Sequence, residues 1–182
     1  MLPKGAKKVF AWQIFDVYQW KQKMFDGTFE TFEKVKRADT VSVFPIHKGK
    51  IVICRQRQPH KKHFYYSLIG GRIDSGEKPL PAAKRELLEE TWMKAKKIVL
   101  WQDYTASHKV VWTNYFYVAY DCEVVAKQDL DAGEKITLLY VSFEEFIEMI
   151  ERGVFDFSYF ENEIFKMHKK GELGEFKKLL LG

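Results

Sequence analysis

The sequence predicts an α/β protein that carries an antiparallel hairpin at its N-terminal end. Three observations predict it. Aromatic and β-branched residues alternate with polar ones over residues 10–44 and are punctuated by Asp26-Gly27, which is a hairpin signature. Apolar residues at helical spacing follow in residues 80–92, with strand-like runs on either side. Further on, Ser142-Phe143-Glu144-Glu145 reads as a capping box that opens a second helix. Strands and helices are therefore interleaved along the chain.

Taken in order, VYQWKQKMF and TFETFEKVK are the two arms of the hairpin, and a further strand covers residues 40–46. His47-Lys48-Gly49-Lys50 turns the chain into a buried strand at residues 51–55. A strand ending in Ser67-Leu68-Ile69 leads to Gly70-Gly71, a pair that permits a tight backbone course. Pro79 and Pro81 belong to the first turn of the next helix, where a missing backbone donor costs little. Residues 97–104, 110–119 and 135–141 read as strands. The capped helix runs to about Arg152 with Gly153 as its stop, and Phe143, Phe146, Ile147 and Ile150 give it a core-facing side. A last helix is expected over residues 158–170, broken by Gly171 and Gly174 before a short basic and apolar tail.

The 182 residues suffice for one domain with a full core, expected at residues 39–182, with residues 1–38 as an N-terminal hairpin extension. The apolar runs are too short to span a membrane, and MLPKGAKKVFAW lacks the apolar core of a secretory signal, so a cytoplasmic protein without a membrane partner is expected. The net charge of +5 is dispersed through pairs such as Lys7-Lys8, Lys61-Lys62 and Lys96-Lys97. With no aromatic-interleaved basic stripe, this argues against a nucleic-acid partner and suits a small phosphate-bearing ligand. Cys54 and Cys122 lie in apolar strand-like segments and read as buried, reduced thiols.

The chemistry is concentrated in residues 71–93, GRIDSGEKPLPAAKRELLEETWM, which follow the pattern G-x5-E-x7-R-E-U-x-E-E-x-W-U with U aliphatic. On a helix, residues three and four apart share a face, so Glu86, Glu89 and Glu90 project together. Three clustered carboxylates repel one another unless a divalent cation sits among them, and oxygen ligands suit magnesium or manganese better than zinc. Ala83, Leu87 and Leu88 form the opposite, packing face. A bare E-x-x-E-E is commonly a solvated helix face. The glycine, Glu77 and the Arg85-Glu86 pair at fixed offsets set this segment apart.

The segment resembles the Nudix box, which carries glycine where this chain has Trp92. Outside the box, the order MFDG, FEKVKRADTVSVFPI, ICRQRQP and GGRIDSGE resembles the ADP-ribose and nucleoside-diphosphate-sugar pyrophosphatase branch of Nudix hydrolases. The resemblance implies an α/β/α sandwich with a mixed sheet. It also implies hydrolysis of the pyrophosphate bond of a nucleoside diphosphate linked to another group, and a homodimer whose N-terminal strands help complete the partner's pocket. For the residues, it implies metal ligation by Glu86, Glu89, Glu90 and the Gly70 carbonyl, with magnesium neutralising phosphate oxygens and lowering the pKa of a bound water. Arg85 would orient the acidic cluster, Gly71 and Glu77 would brace the box, and Glu134 in the loop beyond would be a base or a further ligand.

Arg55, Arg57 and Arg72 are candidate phosphate contacts, since a guanidinium offers two parallel donors. His108 is a weaker candidate for a second base. Two departures from the branch stand out. Trp92 implies a differently shaped helix exit that leaves the carboxylates in place. Gln58 stands in Arg55-Gln56-Arg57-Gln58 where ADP-ribose enzymes often carry a second arginine. Other substrates of the same chemistry remain open: GDP-mannose, a dinucleotide or a nucleoside triphosphate. So does a catalytically silent module that senses a nucleotide.

Overall fold

Helix layers cover both faces of one mixed sheet, and the alternation along its strands decides which side chain meets which layer. The structure is a computed structural model that describes all residues except 60, 107, 126–134 and 156–158. The chain opens with β1 (Lys7–Ala11), β2 (Phe15–Lys23), β3 (Phe29–Arg37), β4 (Thr40–His47), β5 (Lys50–Arg57) and β6 (Tyr65–Ser67). Helix α1 (Pro79–Thr91) follows, then β7 (Met93–Lys94), β8 (Lys97–Thr105), β9 (Val110–Val111), β10 (Thr113–Tyr120), β11 (Glu123–Val124) and β12 (Lys135–Val141). Three helices close the chain: α2 (Phe143–Glu151), α3 (Tyr159–Lys170) and α4 (Leu173–Leu181).

The main sheet runs β12-β5-β4-β10-β8, with β6 also paired to β5. β10 lies parallel to β4, from Asn114 beside Thr40 to Ala119 beside Pro45, while the other pairs are antiparallel. Successive strand residues point to opposite faces. Val41, Val43, Val52, Cys54, Tyr117 and Ala119 accordingly pack with Ala82, Ala83 and Leu87 of α1. Their neighbours Phe44, Ile46, Ile51, Ile53, Phe116 and Val118 pack with residues of α2, α3 and α4. Strands covered on both faces read as near-continuous apolar runs, as these do. The result is the expected α/β/α sandwich, and both cysteines are buried thiols outside any disulfide.

The hairpin is present: β2 and β3 pair from Phe15 beside Arg37 to Lys23 beside Phe29, across the Asp26-Gly27 turn. It is part of a larger unit, because β1 adds to one edge and β9 lies parallel to the other. The turn into β5 has Lys48 and Gly49 both left-handed, as a two-residue hairpin turn requires. The capping box of α2 is reciprocal: the Glu145 N–H donates to Ser142 Oγ at 3.1 Å and the Ser142 N–H to Glu145 Oε2 at 2.6 Å.

Two expectations need correction. Residues 110–119 are two strands, because Trp112 separates a short pairing with β3 from the long pairing with β4 and β8. The tail after Gly171 is a helix, α4, since Phe176 and Leu180 are fully buried against the sheet. The Phe176 ring lies 5.0 Å from that of Trp101 and 6.2 Å from that of Phe44. Among the described residues no helix is long and apolar enough to cross a membrane.

Candidate active site at the carboxylate helix

Helix α1 begins at Pro79, with Lys78 extended before it, and buries Ala82, Ala83 and Leu87. That anchoring turns Arg85, Glu86, Glu89 and Glu90 to the other side of the helix. Leu88, expected on the packing face, is only partly buried, and Ala82 takes that part of the contact.

Arg85 is the hub. Its Nε and Nη2 donate to the two carboxylate oxygens of Glu77, at 3.2 and 3.0 Å. Its Nη1 donates to Glu86 Oε1 at 2.8 Å and to Glu89 Oε2 at 3.0 Å, and Nη2 also reaches the Arg72 carbonyl at 2.9 Å. Glu77 in turn accepts from the Asp74 N–H at 3.1 Å, so the pair ties the loop to the helix. These bonds, Glu77's foremost, hold the Arg85 guanidinium firmly protonated, and Arg85 holds the Glu77 carboxyl below its ordinary range. Glu86 behaves oppositely: its side chain is 12% exposed, and burial pushes its pKa up despite the adjacent Arg85.

The glycine turn supplies the other half. The β4 amides of Val43 and Val41 bond the carbonyls of Ile69 and Gly71, on either side of Gly70. Gly70 has φ +149°, and a Cβ there would fall 2.1 Å from the Val41 carbonyl oxygen, so only glycine fits. A Cβ on Gly71 would lie 2.5 Å from Glu86 Oε1, and the Gly70 N–H donates to Glu90 Oε2 at 3.0 Å. Glu86 and Glu90 thus converge on adjacent glycines. Glu89 sits at the rim, 57% exposed and turned to Arg85.

Among the described residues no three acidic, histidine or cysteine side chains form a ready cage for a cation. The donor set still fits a hard divalent ion: the partly buried carboxylates of Glu86 and Glu90, one helical turn apart, against a turn whose glycines leave no side chain in the way. Glu134 lies outside the described residues.

The three candidate arginines part company. Arg72 lines a groove of about 820 Å³ beside the box loop, together with Asp74, Glu77, Arg37 and Trp12. Arg55 instead covers the ring of Phe64 at 4.2 Å, and Arg57 is exposed at the end of β5. Neither lines that groove or the neighbouring cleft of about 350 Å³ lined by Gly70 and Gly71. His108 is exposed and left-handed, and it lines neither.

Sequence reading missed Arg37, which lines both cavities and has its guanidinium 5.2 Å from the Trp112 ring. In the run Lys34-Val35-Lys36-Arg37 it looks like one more surface cation. The expectation for Trp92 also fails. It caps α1 in the left-handed conformation, φ 54° and ψ 25°, with its N–H on the Leu88 carbonyl at 2.8 Å. The exit keeps the shape a glycine would give it, and a buried tryptophan adopts it.

A family model described as the NUDIX domain matches residues 36–160. The ADP-ribose pyrophosphatase of Bacillus subtilis (strain 168) is 27% identical over 156 residues, covering 84% of each chain. A crystal structure of an ADP compounds hydrolase superposes with a TM-score of 0.71 over 93% of this chain and 95% of that one, at 17% identity, a likeness of fold. Nudix hydrolases generally use divalent metal ions, in keeping with the carboxylates that meet at Gly70 and Gly71. Because the family model covers well over half of the chain, this protein belongs to the NUDIX family and is a pyrophosphohydrolase.

Proposed function

We propose that the protein hydrolyses the pyrophosphate bond of ADP-ribose or a related nucleotide sugar with magnesium, giving a nucleoside monophosphate and a sugar phosphate. The observation that carries this reading is the meeting of Glu86 and Glu90 at Gly70-Gly71, with the groove and the cleft opening beside it. The Bacillus relative's name supports the choice of ADP-ribose.

Glu86, Glu89 and Glu90, with the Gly70 carbonyl, would hold the cation. When bound there, magnesium, or manganese in its place, supplies positive charge against the phosphate oxygens. Arg85 fixes the helix side of the site, since its bonds to Glu77, Glu86 and Glu89 set where those carboxylates stand. Glu77 and the Asp74 amide brace the loop. Arg72 and Arg37, facing one groove, are placed to take phosphate oxygens with paired donors. Glu134 is the proposed base, and Arg55 and Arg57 would act at a distal part of the substrate.

The N-terminal strands, residues 1–38, are proposed as the homodimer contact. Val9, Phe10 and Phe15 are exposed in the single chain, a patch that a second copy would cover, while the neighbouring Trp12 and Ile14 line the groove.

The test is a panel of ADP-ribose, GDP-mannose, UDP-glucose, a dinucleotide and nucleoside triphosphates, incubated with magnesium and assayed for phosphate products. ADP-ribose is expected to give the highest kcat/KM. Glu90→Gln should lower kcat by at least about a hundredfold while far-UV circular dichroism stays unchanged, because a ligand of the cation is lost. Turnover of no panel member would favour a silent sensing module.

A further inference from the structure

The cleft beside Gly70 and Gly71 differs in chemistry from the groove next to it. Its wall is built where parallel β4 and β10 begin, from Thr40, Ser42 and Asn114. Asn114 is 74 residues from Thr40 and 72 from Ser42 in sequence and is joined to both by hydrogen bonds. Thr40 Oγ1 donates to Asn114 Oδ1 at 2.9 Å, Asn114 Nδ2 donates to Ser42 Oγ at 3.0 Å, and the Trp112 indole N–H donates to Thr40 Oγ1 at 3.0 Å. Asn114 is 2% exposed, so its orientation is fixed by this network and by burial. The wall is neutral: the Thr40 O–H is committed to Asn114, whereas the Ser42 O–H makes only a long 3.4 Å contact to Asn114 Oδ1, so Ser42 Oγ keeps a lone pair and a weakly held proton for a ligand hydroxyl.

We infer that this cleft is the subsite for the sugar of the group linked to the nucleoside diphosphate, with Ser42, held by Asn114, reading a sugar hydroxyl. The inference rests on the proposed pyrophosphatase reading. Three observations favour a sugar over the nucleobase. The cleft, about 350 Å³, is near the small end of ligand sites, roughly 300 to 1,000 Å³, whereas the groove beside it offers about 820 Å³. Of the two aromatic residues at the cleft, Phe160 is 1% exposed, and Trp112 is partly buried with Arg37 over its ring and Tyr104 edge-on at 6.1 Å. In the groove, Trp12 is 74% exposed as a residue, the better platform for a base. Arg37 stands at both cavities, where a phosphate joining the two halves of the substrate would pass.

The experiment is isothermal calorimetry of ribose 5-phosphate, AMP and inorganic phosphate with the full chain and with Ser42→Ala, alongside ADP-ribose kinetics. Ser42 is only partly buried, so its loss should leave the fold intact, whereas Asn114→Ala would strip a buried hub of its hydrogen bonds. The expected result is that the chain binds ribose 5-phosphate more tightly than phosphate. Ser42→Ala then weakens ribose 5-phosphate binding by about tenfold, the worth of one hydrogen bond to a sugar hydroxyl, and raises KM for ADP-ribose more than it lowers kcat. Equal affinity of both proteins for ribose 5-phosphate would overturn the inference. So would a loss of AMP affinity with ribose 5-phosphate binding retained, which would make the cleft the base site. If the chain turned over no pyrophosphate, the enzymatic reading would fail, and the ribose 5-phosphate binding would still decide the sugar site.

Discussion

Trp92 sets two effects against each other, and their sizes decide the outcome. A non-glycine residue in the left-handed region costs on the order of 1 kcal/mol, whereas truncating a buried tryptophan costs about 3 to 5 kcal/mol. Trp92 is 9% exposed, so burial wins. Trp92→Gly should therefore destabilise the protein by about 2 to 4 kcal/mol in urea unfolding, even though it restores the family residue. A stabilised variant would show that the backbone strain dominates. Glu161 poses the opposite problem. It is 5% exposed, its Oε1 has no hydrogen-bond partner among the described residues, and burial pushes its pKa up. A carboxyl with a raised folded-state pKa favours the fold at low pH, and that contribution is lost as pH rises from the ordinary glutamate value through the folded one. Glu161→Gln should raise stability at pH 7.5 by on the order of 1 kcal/mol, with the gain shrinking as pH approaches 4. Thermal unfolding across that range checks it, and a gain independent of pH would show that charge is not the cause.

The glycine turn and α1 act as one unit, and the two glycines serve it differently. At Gly71 an added Cβ meets only the end of the Glu86 side chain, which can swing aside. Gly71→Ala should fold with little change in melting temperature, yet need about tenfold more magnesium for half-maximal activity and bind manganese correspondingly more weakly by electron paramagnetic resonance, a displaced carboxylate being a poorer ligand. At Gly70 the obstacle is the Val41 backbone together with a positive φ, so Gly70→Ala should cost on the order of 3 kcal/mol in stability. Equal stability of the two variants would contradict the close approach at Gly70. This unit was legible in sequence because its information is local: Glu77, Arg85, Glu86, Glu89 and Glu90 sit at offsets that a single helix and loop turn into geometry. Helix α4 was not legible. Gly171 and Gly174 look like breakers, and only the packing of Phe176 beside Trp101 and Phe44 makes the segment helical. The Thr40, Ser42 and Asn114 wall was equally hidden, because a parallel pairing across more than seventy residues assembles it.

The N-terminal sheet places exposed apolar side chains on the rim of the groove beside the box loop. β1, the turn after it and the first residue of β2 expose Val9, Phe10, Trp12, Ile14 and Phe15, with Phe10 and Trp12 stacked at 6.4 Å, while Trp12, Gln13 and Ile14 also line the groove with Arg72 and Glu77. An apolar patch of that kind on a single chain marks a surface that another protein covers. If a second copy covers this one, on the rim of the proposed substrate groove, association and activity should be coupled. The full chain should run as a dimer in light scattering after size exclusion, and Phe10→Lys combined with Val9→Lys, both exposed and outside the groove lining, should leave a folded monomer. Trp12 is kept in that variant so that its face toward the groove survives. Specific activity should then fall on dilution of the wild-type protein through the range where light scattering reports dissociation, and the monomeric variant should show the low value at every concentration, because association follows mass action. A wild-type monomer would remove the dimer. A dimer whose specific activity held through dissociation would keep the interface but leave the groove complete within one chain, with Trp12 supplied by the same subunit that supplies Glu86 and Glu90.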